Sequence, residues 1–561
     1  MKKLLMIPLG GLGEIGKNST IWEYENQIVV VDAGLKFPGE GDWGVDFLIP
    51  DFSYLKNKKV LAVILTHGHE DHVGALAYLL REVKAPIYGT PLTLGLAEHR
   101  LKEQGIEADL VCLKPEENLK IGPFQFEFAR LSHSIPDGIG YALNTSQGLI
   151  VHSGDFKIDS TPVDGQYTDL ARFTEWGKRG VNLFMSDSTN ADEPGQVKSE
   201  KMVGKNLDAI FSTCKGLIVV TTFASNVHRL SQVAEYARKN GRKVAVDGKA
   251  MLKTIETARK LGYLEDVYDV FINMDDISRH PRSKMVVLTT GSQGEPMSVL
   301  RRMANKEYKK LQLVKGDYVI ISADPIPGNE RSVNSIINSL MWQGVELFHS
   351  EALGVHTSGH AKQEELKLLL SLVKPKYFMP VHGEERHLIS HARLAAEMLI
   401  HPKRIMLLQN GDKLEIIDGK IRIAANLPLD NIYVDGLGVG DLKEVVLYER
   451  SILSREGVVV VGIHLSDSGK ELIKDPEVKA IGLLYERGSE ELFAELKIYI
   501  KKLVTTGMPS KREWEKKISQ FFFDKLMRKP YVVVLLFNGE KNYELPGSRA
   551  QTKRTKNIPK S

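Results

Sequence analysis

The run Val60-Leu61-Ala62-Val63-Ile64-Leu65, followed at once by Thr66-His67-Gly68-His69-Glu70-Asp71-His72, sets the tightest limit on how this chain can fold. The apolar run reads as a buried strand, so the polar residues stand at its carboxyl end. On an extended loop, His67, His69 and Asp71 point to one side and His72 turns to reach the other, so one loop can serve two metals. Neutral imidazole and carboxylate are the ligands that zinc-like ions prefer, and such groups packed this closely repel or go unpaired without a cation. The bland alternative is a polar surface loop that happens to be rich in His. Clustering at this spacing on a strand end weighs against it.

The pattern H-x-H-x-D-H resembles the metallo-β-lactamase superfamily, whose further ligands each follow a strand. Candidates stand in Leu131-Ser132-His133-Ser134-Ile135-Pro136-Asp137, in Ile150-Val151-His152-Ser153-Gly154-Asp155 and in Pro380-Val381-His382-Gly383-Glu384. The resemblance implies that His67, His69 and His133 hold one metal, that Asp71, His72 and His382 hold the other, and that Asp155 bridges them. Asp32, ending the run Ile28-Val29-Val30-Val31, matches the superfamily's early Asp, which orients the loop and ligands rather than binding metal.

Composition narrows the class. A chain of 561 residues has room for about three or four domains. Its 42% apolar and 26% charged content disfavours disordered and membrane classes. Net charge is only +4, too small to prove a nucleic-acid partner. The last 21 residues carry six basic side chains against Glu544, a local balance of +5. Such a tail can touch a polyanion, although a solvated tail is the default. Cys112 and Cys214 stand far apart, outside any C-x-x-C spacing, so no disulfide framework or thiolate metal site is expected and a reducing cytoplasm fits. The start Met1-Lys2-Lys3-Leu4-Leu5 imitates a signal peptide but leads into glycines without a cleavage pattern, and no stretch is long enough to span a membrane.

Near the amino end, Gly11-x-Gly13-x-x-Gly16 imitates a dinucleotide-binding fingerprint. A helix should follow it. Instead 19–24 and 27–31 read as two strands joined by a Glu-Asn turn, which rejects nicotinamide binding. From 60 to 185, strands alternate with helices such as 74–81 and 92–104, suiting a two-sheet αββα sandwich with metals at one sheet edge, as the resemblance implies. His382 lies 227 positions beyond Asp155, far more than one strand and helix require. Between 198 and 350 the pattern repeats strand then helix: strands at 216–222, 243–247, 285–289 and 317–322, with helices from 226, 250, 297 and 333. Repeating βα units predict a parallel sheet flanked by helices. Its strand-to-helix loops, Thr222-Phe223-Ala224-Ser225-Asn226, Thr290-Gly291-Ser292-Gln293-Gly294-Glu295 and Asp324-Pro325-Ile326-Pro327-Gly328-Asn329, are small and polar. Three in succession favour a phosphate-lined face over helix capping alone.

The expected division is therefore 1–197, first part of the sandwich; 198–350, an inserted domain; 351–440, second part, closing with short strands at 404–408, 413–417 and 420–423; 441–454, a linker; and 455–561, a small α/β domain with the basic tail. That last domain should hold strands at 458–463, 481–485 and 531–537 and helices from Glu490 and Lys511. Its pattern Leu492-Leu496-Ile500-Leu503 is amphipathic, and core packing is its default role.

A metallo-β-lactamase core interrupted by an α/β insert resembles the β-CASP nucleases. Within that group, Ser186-Asp187-Ser188-Thr189-Asn190, the Thr222 to Asn226 loop, Thr357-Ser358-Gly359-His360-Ala361 and Pro380-Val381-His382-Gly383-Glu384 resemble bacterial ribonuclease J. Asp187, His360 and His382 match the group's three accessory motifs in order. The resemblance implies a ribonuclease with two zinc ions per subunit, manganese or magnesium being alternative activating metals. Two metals about 3.5–4 Å apart would lower the pKa of a bridging water and orient it for in-line attack on phosphorus. Alongside the ligand Asp71, Asp187 and His360 are the candidates for catalysis, His being best matched to proton transfer at neutral pH. Ser225, Asn226, His228, His356, Thr357, Ser358 and Gly359 are candidates for holding a substrate phosphate. The resemblance also implies single-stranded RNA as substrate, 5′-to-3′ trimming from 5′-monophosphate ends with internal cutting besides, and roles in mRNA decay and rRNA maturation. It further implies a cytoplasmic homodimer or homotetramer, open to a paralogous subunit or an RNA-degradation complex. His99, His280, His391 and His401 stand alone, and His152 reads as a packed strand residue. A hydrolase of small thioesters or lactams, and a weakly active or non-catalytic RNA-binding subunit, are the competing readings.

Overall fold

Along the first strand, Leu4–Gly10, Leu4 and Met6 face one way and Leu5 and Ile7 the other, and all are buried. A strand covered on both faces needs a layer on each side. The structure, a computed structural model describing residues 2–39, 41–295, 297–326, 328–350, 353–483, 489–506 and 510–538, supplies both. The strand belongs to an eight-stranded sheet, between Asp412–Ile417 and Ser19–Tyr24. Met6, Trp22, Val29, Val31 and Ile64 of its inner face pack on Phe126, Phe128, Tyr141, Ile150 and Met185 of a six-stranded sheet. Outward, Ile7, Ile21, Val30 and Val63 meet Leu76, Leu79, Ala97 and Leu101 of the helices Leu76–Glu82 and Pro91–Glu103. The second sheet turns Ala142, Val151, Phe184 and Phe378 out against helices Leu170–Arg179 and Gln363–Val373. Each such side chain contributes about 1.5–3 kcal/mol when fully buried. This is the αββα sandwich.

Parallel pairing brings the loops to one edge. Gln27–Val31 runs parallel to Lys59–Ile64 in the first sheet, and Gly148–His152, Val181–Asp187 and Tyr377–Val381 run parallel in the second. Asp32, His67, Asp155 and His382 therefore leave neighbouring strands at their carboxyl ends, and Asp187 closes its own. The glycine-rich turn is no helix start; Leu12 and Gly13 instead pair with Gly383 and Glu384, directly after His382.

The insert is a six-stranded sheet in which every paired strand is parallel, in the order Phe271–Asn273, Lys243–Asp247, Met285–Thr289, Ile218–Thr221, Tyr318–Ile321, Glu346–His349. Alternation again explains it. Ile218, Val220, Val244, Val286 and Leu288 face Leu207, Leu230 and Val233, whereas Val219, Ala245, Val287 and Val319 face Leu300, Met303 and Ile336. Two helices are shifted from expectation: Val299–Ala304 starts behind the capping Ser298, and Glu330–Trp342 begins three residues before Val333. Pro327 of the third loop lies outside the described residues.

The strand expected at 404–408 is not formed. Pro402–Arg404 is a single 3-10 turn, and only Ile405 bridges to Phe378 before the chain leaves the sheet. Asp412–Ile417 and Lys420–Asn426 follow as a hairpin on the first sheet.

The chain forms two compact units, Met1–Gly39 with Val45–Gly440, and Glu40–Gly44 with Asp441–Ser561. In the second, residues read as a linker are largely helix, Glu444–Glu456. Its sheet runs Leu472–Ile481, Val458–Leu465, Tyr531–Asn538. Val459, Val461, Ile463 and Leu465 are buried against Leu496, Ile500, Trp514 and Phe522 of the helices Glu490–Thr506 and Lys511–Leu526, so the amphipathic stripe packs into its own core. The strand expected at 481–485 instead ends at Ile481, and residues 484–485, like the basic tail from 541, lie outside the described residues. Lys474, Asp475, Pro476, Glu477 and Lys479 make it a charged edge strand, which hides it from a search for apolar runs.

Candidate metal centre

Leu65 to His69 is a loop bent at Thr66 and Gly68, and Glu70–Val73 is a helical turn, so Asp71 and His72 leave from a helix rather than by the alternation expected of an extended chain. Two clusters result. His67 Nε2 lies 3.0 Å and His133 Nε2 3.1 Å from His69 Nδ1. In the other, His382 Nε2 lies 3.1 Å from Asp71 Oδ2, and His72 Nε2 lies 3.2 Å from Asp155 Oδ2. Asp155 Oδ2 is also 3.8 Å from His67 Nε2, so it stands between the two groups. Within each cluster one ligand atom per residue lies within 4.8 Å of all the others.

The donor chemistry fits divalent cations. Zn–N bonds of about 2.0–2.1 Å in a tetrahedron place donors about 3.3 Å apart, close to the spacings here. Four of the five imidazoles have the other nitrogen tied back, which orients the ring and leaves the inward nitrogen for a cation. His72 Nδ1 donates to Asp32 Oδ2 at 2.8 Å, His133 Nδ1 to the Gly359 carbonyl at 2.7 Å, His382 Nδ1 to Thr189 Oγ1 at 2.6 Å, and His67 Nδ1 faces Thr66 Oγ1 at 3.2 Å. Asp32 also accepts from the Thr66 amide and hydroxyl, each at 2.8 Å, and so braces the loop from behind.

The halves differ electrostatically. Burial, followed by neighbouring imidazoles, holds His67 and His133 well below the usual histidine range, and burial brings His69 to about 4. These nitrogens are neutral and ready as ligands. Burial also opposes charge on His72 and His382, but for His72 it is outweighed by Asp155, Asp71 and Asp32, and for His382 by Asp155, Asp187 and Asp71. His72 is held well above its ordinary value and His382 at about 10. Asp71 and Asp155 are correspondingly held low, their burial overcome by His72 and His382.

Asp187 is buried behind this edge. Its Oδ1 accepts from the Thr189 amide and hydroxyl at 3.0 and 2.9 Å, and its Oδ2 from His360 Nδ1 at 2.8 Å. His360 is pushed up, its burial outweighed by Asp187, and its ring lies 4.9 Å from that of His133 and 5.3 Å from that of His382.

The expected phosphate-binding residues fall on two loops. On the first, Thr357 Oγ1 donates to the Lys198 carbonyl at 2.7 Å, Ser358 Oγ accepts from Asn190 Nδ2 at 2.8 Å, and the Gly359 carbonyl holds His133. His356 is held at about 3, by burial and then by Arg229. On the second, Asn226 caps helix Val227–Lys239 and keeps a buried Nδ2 without a hydrogen-bond partner; Ser225 is half-buried; and His228 Nε2 pairs with Asp164 Oδ2 at 3.1 Å. Arg229 joins the loops through Nη1 to the Val355 carbonyl at 2.9 Å.

Sequence reasoning missed several residues here. Thr66, Thr189 and the Gly359 carbonyl are too common to signal themselves. Lys157, Glu200 and Arg229 form a buried ion network beneath the 354–360 loop, and nothing in their spacing marks it. Asn18 did carry a signal, because it directly follows the glycine-rich turn; its Nδ2 lies 3.1 Å from His72 Nε2. Among the lone histidines, His391 is buried in a core contact with Ser188, and His152 stacks on Tyr141.

Comparison with known proteins supplies the rest. Four family models match the chain: "Metallo-beta-lactamase superfamily" over 12–137, "Ribonuclease J, beta-CASP domain" over 215–340, "Zn-dependent metallo-hydrolase RNA specificity domain" over 354–403 and "Ribonuclease J C-terminal domain" over 445–538. The chain is 39% identical over 546 residues to Ribonuclease J 1 of Streptococcus pyogenes, covering 95% of this chain and 97% of that one. It is 39% identical to Ribonuclease J2 of Bacillus subtilis (95% and 98% covered) and 41% identical to Ribonuclease J of Thermus thermophilus (91% and 90%). A solved protein of unknown function from Enterococcus faecalis shares the fold, with a TM-score of 0.54 and 16% identity over 75% of this chain and 100% of that one.

Proposed function

The chain belongs to the ribonuclease J family, and from that premise we propose that it hydrolyses RNA phosphodiesters at the paired His and Asp clusters, 5′-to-3′ from 5′-monophosphate ends and also internally. It is a metal-dependent ribonuclease. The observation that carries the site assignment is the convergence of seven ligand side chains on one sheet edge, with outward nitrogens tied to acceptors. His67, His69 and His133 would hold one zinc ion and Asp71, His72 and His382 the other, with Asp155 between them; Asp32 orients His72. Divalent cations in such a pair supply Lewis acidity and an acidified water for attack on phosphorus.

This chain's own residues do the rest. Asp187 accepts from His360 Nδ1 and pushes its pKa up, which favours the protonated ring, so His360 is the group that passes a proton to the leaving 3′-oxygen, and Asp187 acts through it. The loop from His356 to Gly359, with Asn226, is the candidate cradle for a substrate phosphate: Asn226 Nδ2 is buried and unpartnered, and Thr357, Ser358 and Gly359 set the loop's shape. His228, already paired with Asp164, serves at the margin. Residues 198–350 are the β-CASP insert and 1–197 with 351–440 the hydrolase domain. Assembly as homodimer or homotetramer, a paralogous partner, a cytoplasmic location and roles in mRNA decay and rRNA maturation rest on the family alone. Among the described residues no helix is long and apolar enough to cross a membrane.

The test is a product time course on one end-labelled single-stranded RNA, with a 5′-monophosphate or 5′-triphosphate, in zinc, manganese, magnesium or chelator. Mononucleotides from the monophosphate RNA alone support 5′-end sensing, and internal fragments from both make internal cutting primary. Tight binding without products under any metal would defeat the reading.

A further inference from the structure

The glycine-rich turn opens no helix, yet its glycines are required by close approaches. A Cβ on Gly10 would stand 2.0 Å from the Lys17 carbonyl oxygen, and one on Gly11, at φ +87°, 2.3 Å from Asn18 Oδ1. Gly34 faces the helical turn Glu70–Val73, where a Cβ would stand 1.5 Å from the Asp71 carbonyl oxygen. Without these side chains the backbones close up, and Asn18 is pressed against the metal loop. Its amide donates to Asp71 O at 3.0 Å, and its own carbonyl accepts from Gly34 N at 2.9 Å.

The buried side chain then meets three polar atoms. Asn18 Nδ2 lies 3.1 Å from His72 Nε2, 3.2 Å from Asp71 O and 3.3 Å from Asp71 Oδ2. Asp71 O and Asp71 Oδ2 are acceptors whatever proton His72 carries, so an amide oxygen turned this way would face two oxygens with no proton between them. The nitrogen therefore points inward. It has two protons, and they match the two Asp71 oxygens. The same turn also pairs through Leu12 and Gly13 with Gly383 and Glu384, behind His382.

We propose that Asn18 is a positioning residue for the carboxylate half of the metal centre: its amide protons fix Asp71 beside His72 and His382, and the glycine-rich turn brings it there. This rests on the metal-centre reading above. The all-histidine half receives nothing from Asn18, so the effect should be one-sided.

The test is zinc titration of the metal-stripped full chain, by calorimetry and by competition with a chromogenic chelator. Asn18→Ala should weaken one of two zinc sites by about 10–100-fold and leave the other unchanged, the range seen when a partner of a metal ligand is removed. Asn18→Ser, keeping one donor, should fall between. On 5′-monophosphate RNA, kcat should drop at limiting zinc and recover in excess zinc, with KM unchanged. Equal loss at both sites, or no loss at either, overturns the proposal. If Asn18→Ala does not fold, Asn18→Ser decides by the same two-site comparison. A wild-type chain that binds fewer than two ions would instead defeat the reading of the centre itself.

Discussion

Glu200→Gln should cost far more than an amide-for-carboxylate swap usually does. Glu200 opens the insert's helix Glu200–Thr213 and is buried, with Oε1 3.2 Å from Lys157 Nζ and Oε2 2.6 Å from Arg229 Nη2. Both cations are at most 1% exposed. Gln keeps the shape but leaves two buried cations facing a neutral amide, and breaking a buried pair in this way costs about 3–5 kcal/mol. The two pairs share one carboxylate, so their costs do not add. The loss should appear as a lower urea midpoint for the insert and as faster amide exchange in the 354–360 loop, because Lys157 Nζ also holds the Ser358 carbonyl at 3.3 Å and Arg229 the Val355 carbonyl. The pH dependence follows. Burial would raise the Glu200 carboxyl, but Lys157 and Arg229 outweigh it and hold it well below the usual range. A depressed carboxyl stabilises fully above its unfolded pKa of about 4.3 and loses that contribution as pH falls toward the folded value. The difference between wild type and variant should thus be flat from neutral pH to about 5 and shrink below about 4. A loss under about 1 kcal/mol, the value of an exposed pair, would refute the network's role.

Other perturbations separate the site's parts. Asp155→Ala should abolish RNA hydrolysis while RNA retention in a binding assay persists; undiminished turnover would remove Asp155 from the centre. His360→Gln should lower kcat by about 10²–10⁴-fold with zinc content unchanged, as expected for a proton-transfer group. In the metal-free chain burial is outweighed by Asp155 and its neighbours at His72, held well above its ordinary value, and at His382, held at about 10, whereas burial keeps His67, His69 and His133 below theirs. Zinc binding near pH 7.5 should therefore release protons from the carboxylate half and not from the all-histidine half, and the carboxylate half's affinity should rise with pH toward about 10. Calorimetry in buffers of different ionisation enthalpy measures this, and zero release would refute it.

What was legible in the sequence follows from how rare a residue's chemistry is. Imidazoles and carboxylates seldom gather just after apolar runs for packing alone, so the seven candidate ligands could be named from spacing and resemblance, and the structure brings all seven together. The αββα layers were implied by the resemblance, and runs such as 60–65 suited them. Hidden features used common parts. Lys157, Glu200 and Arg229 are residue types found mostly on surfaces, and only tertiary packing pairs them. Strand Leu472–Ile481 carries its charges on a sheet edge, where apolar alternation is not demanded. The error at 404–408 was the reverse, an apolar run that meets a sheet at one residue after Pro402 removes an amide donor.

Asp187 and His360 show where residue type stops being informative. Either could carry a proton, and nothing in their spacing chooses between them. Their surroundings do. Asp187 has both oxygens filled by Thr189 and His360, and although burial opposes its charge, His360 and His382 hold it far below neutral pH, so it has no proton to give. The same contact works in reverse on His360, since the Asp187 charge outweighs burial and pushes the ring's pKa up. One hydrogen bond of 2.8 Å thus makes the carboxylate the anchor and the imidazole the acid. Rate should fall as pH rises and His360 loses its proton, which gives the kcat–pH profile an alkaline limb. Asp187→Asn should therefore act through His360, shifting that limb to lower pH rather than erasing it, whereas His360→Gln should remove the limb. An unshifted limb in Asp187→Asn would break the link between the two residues.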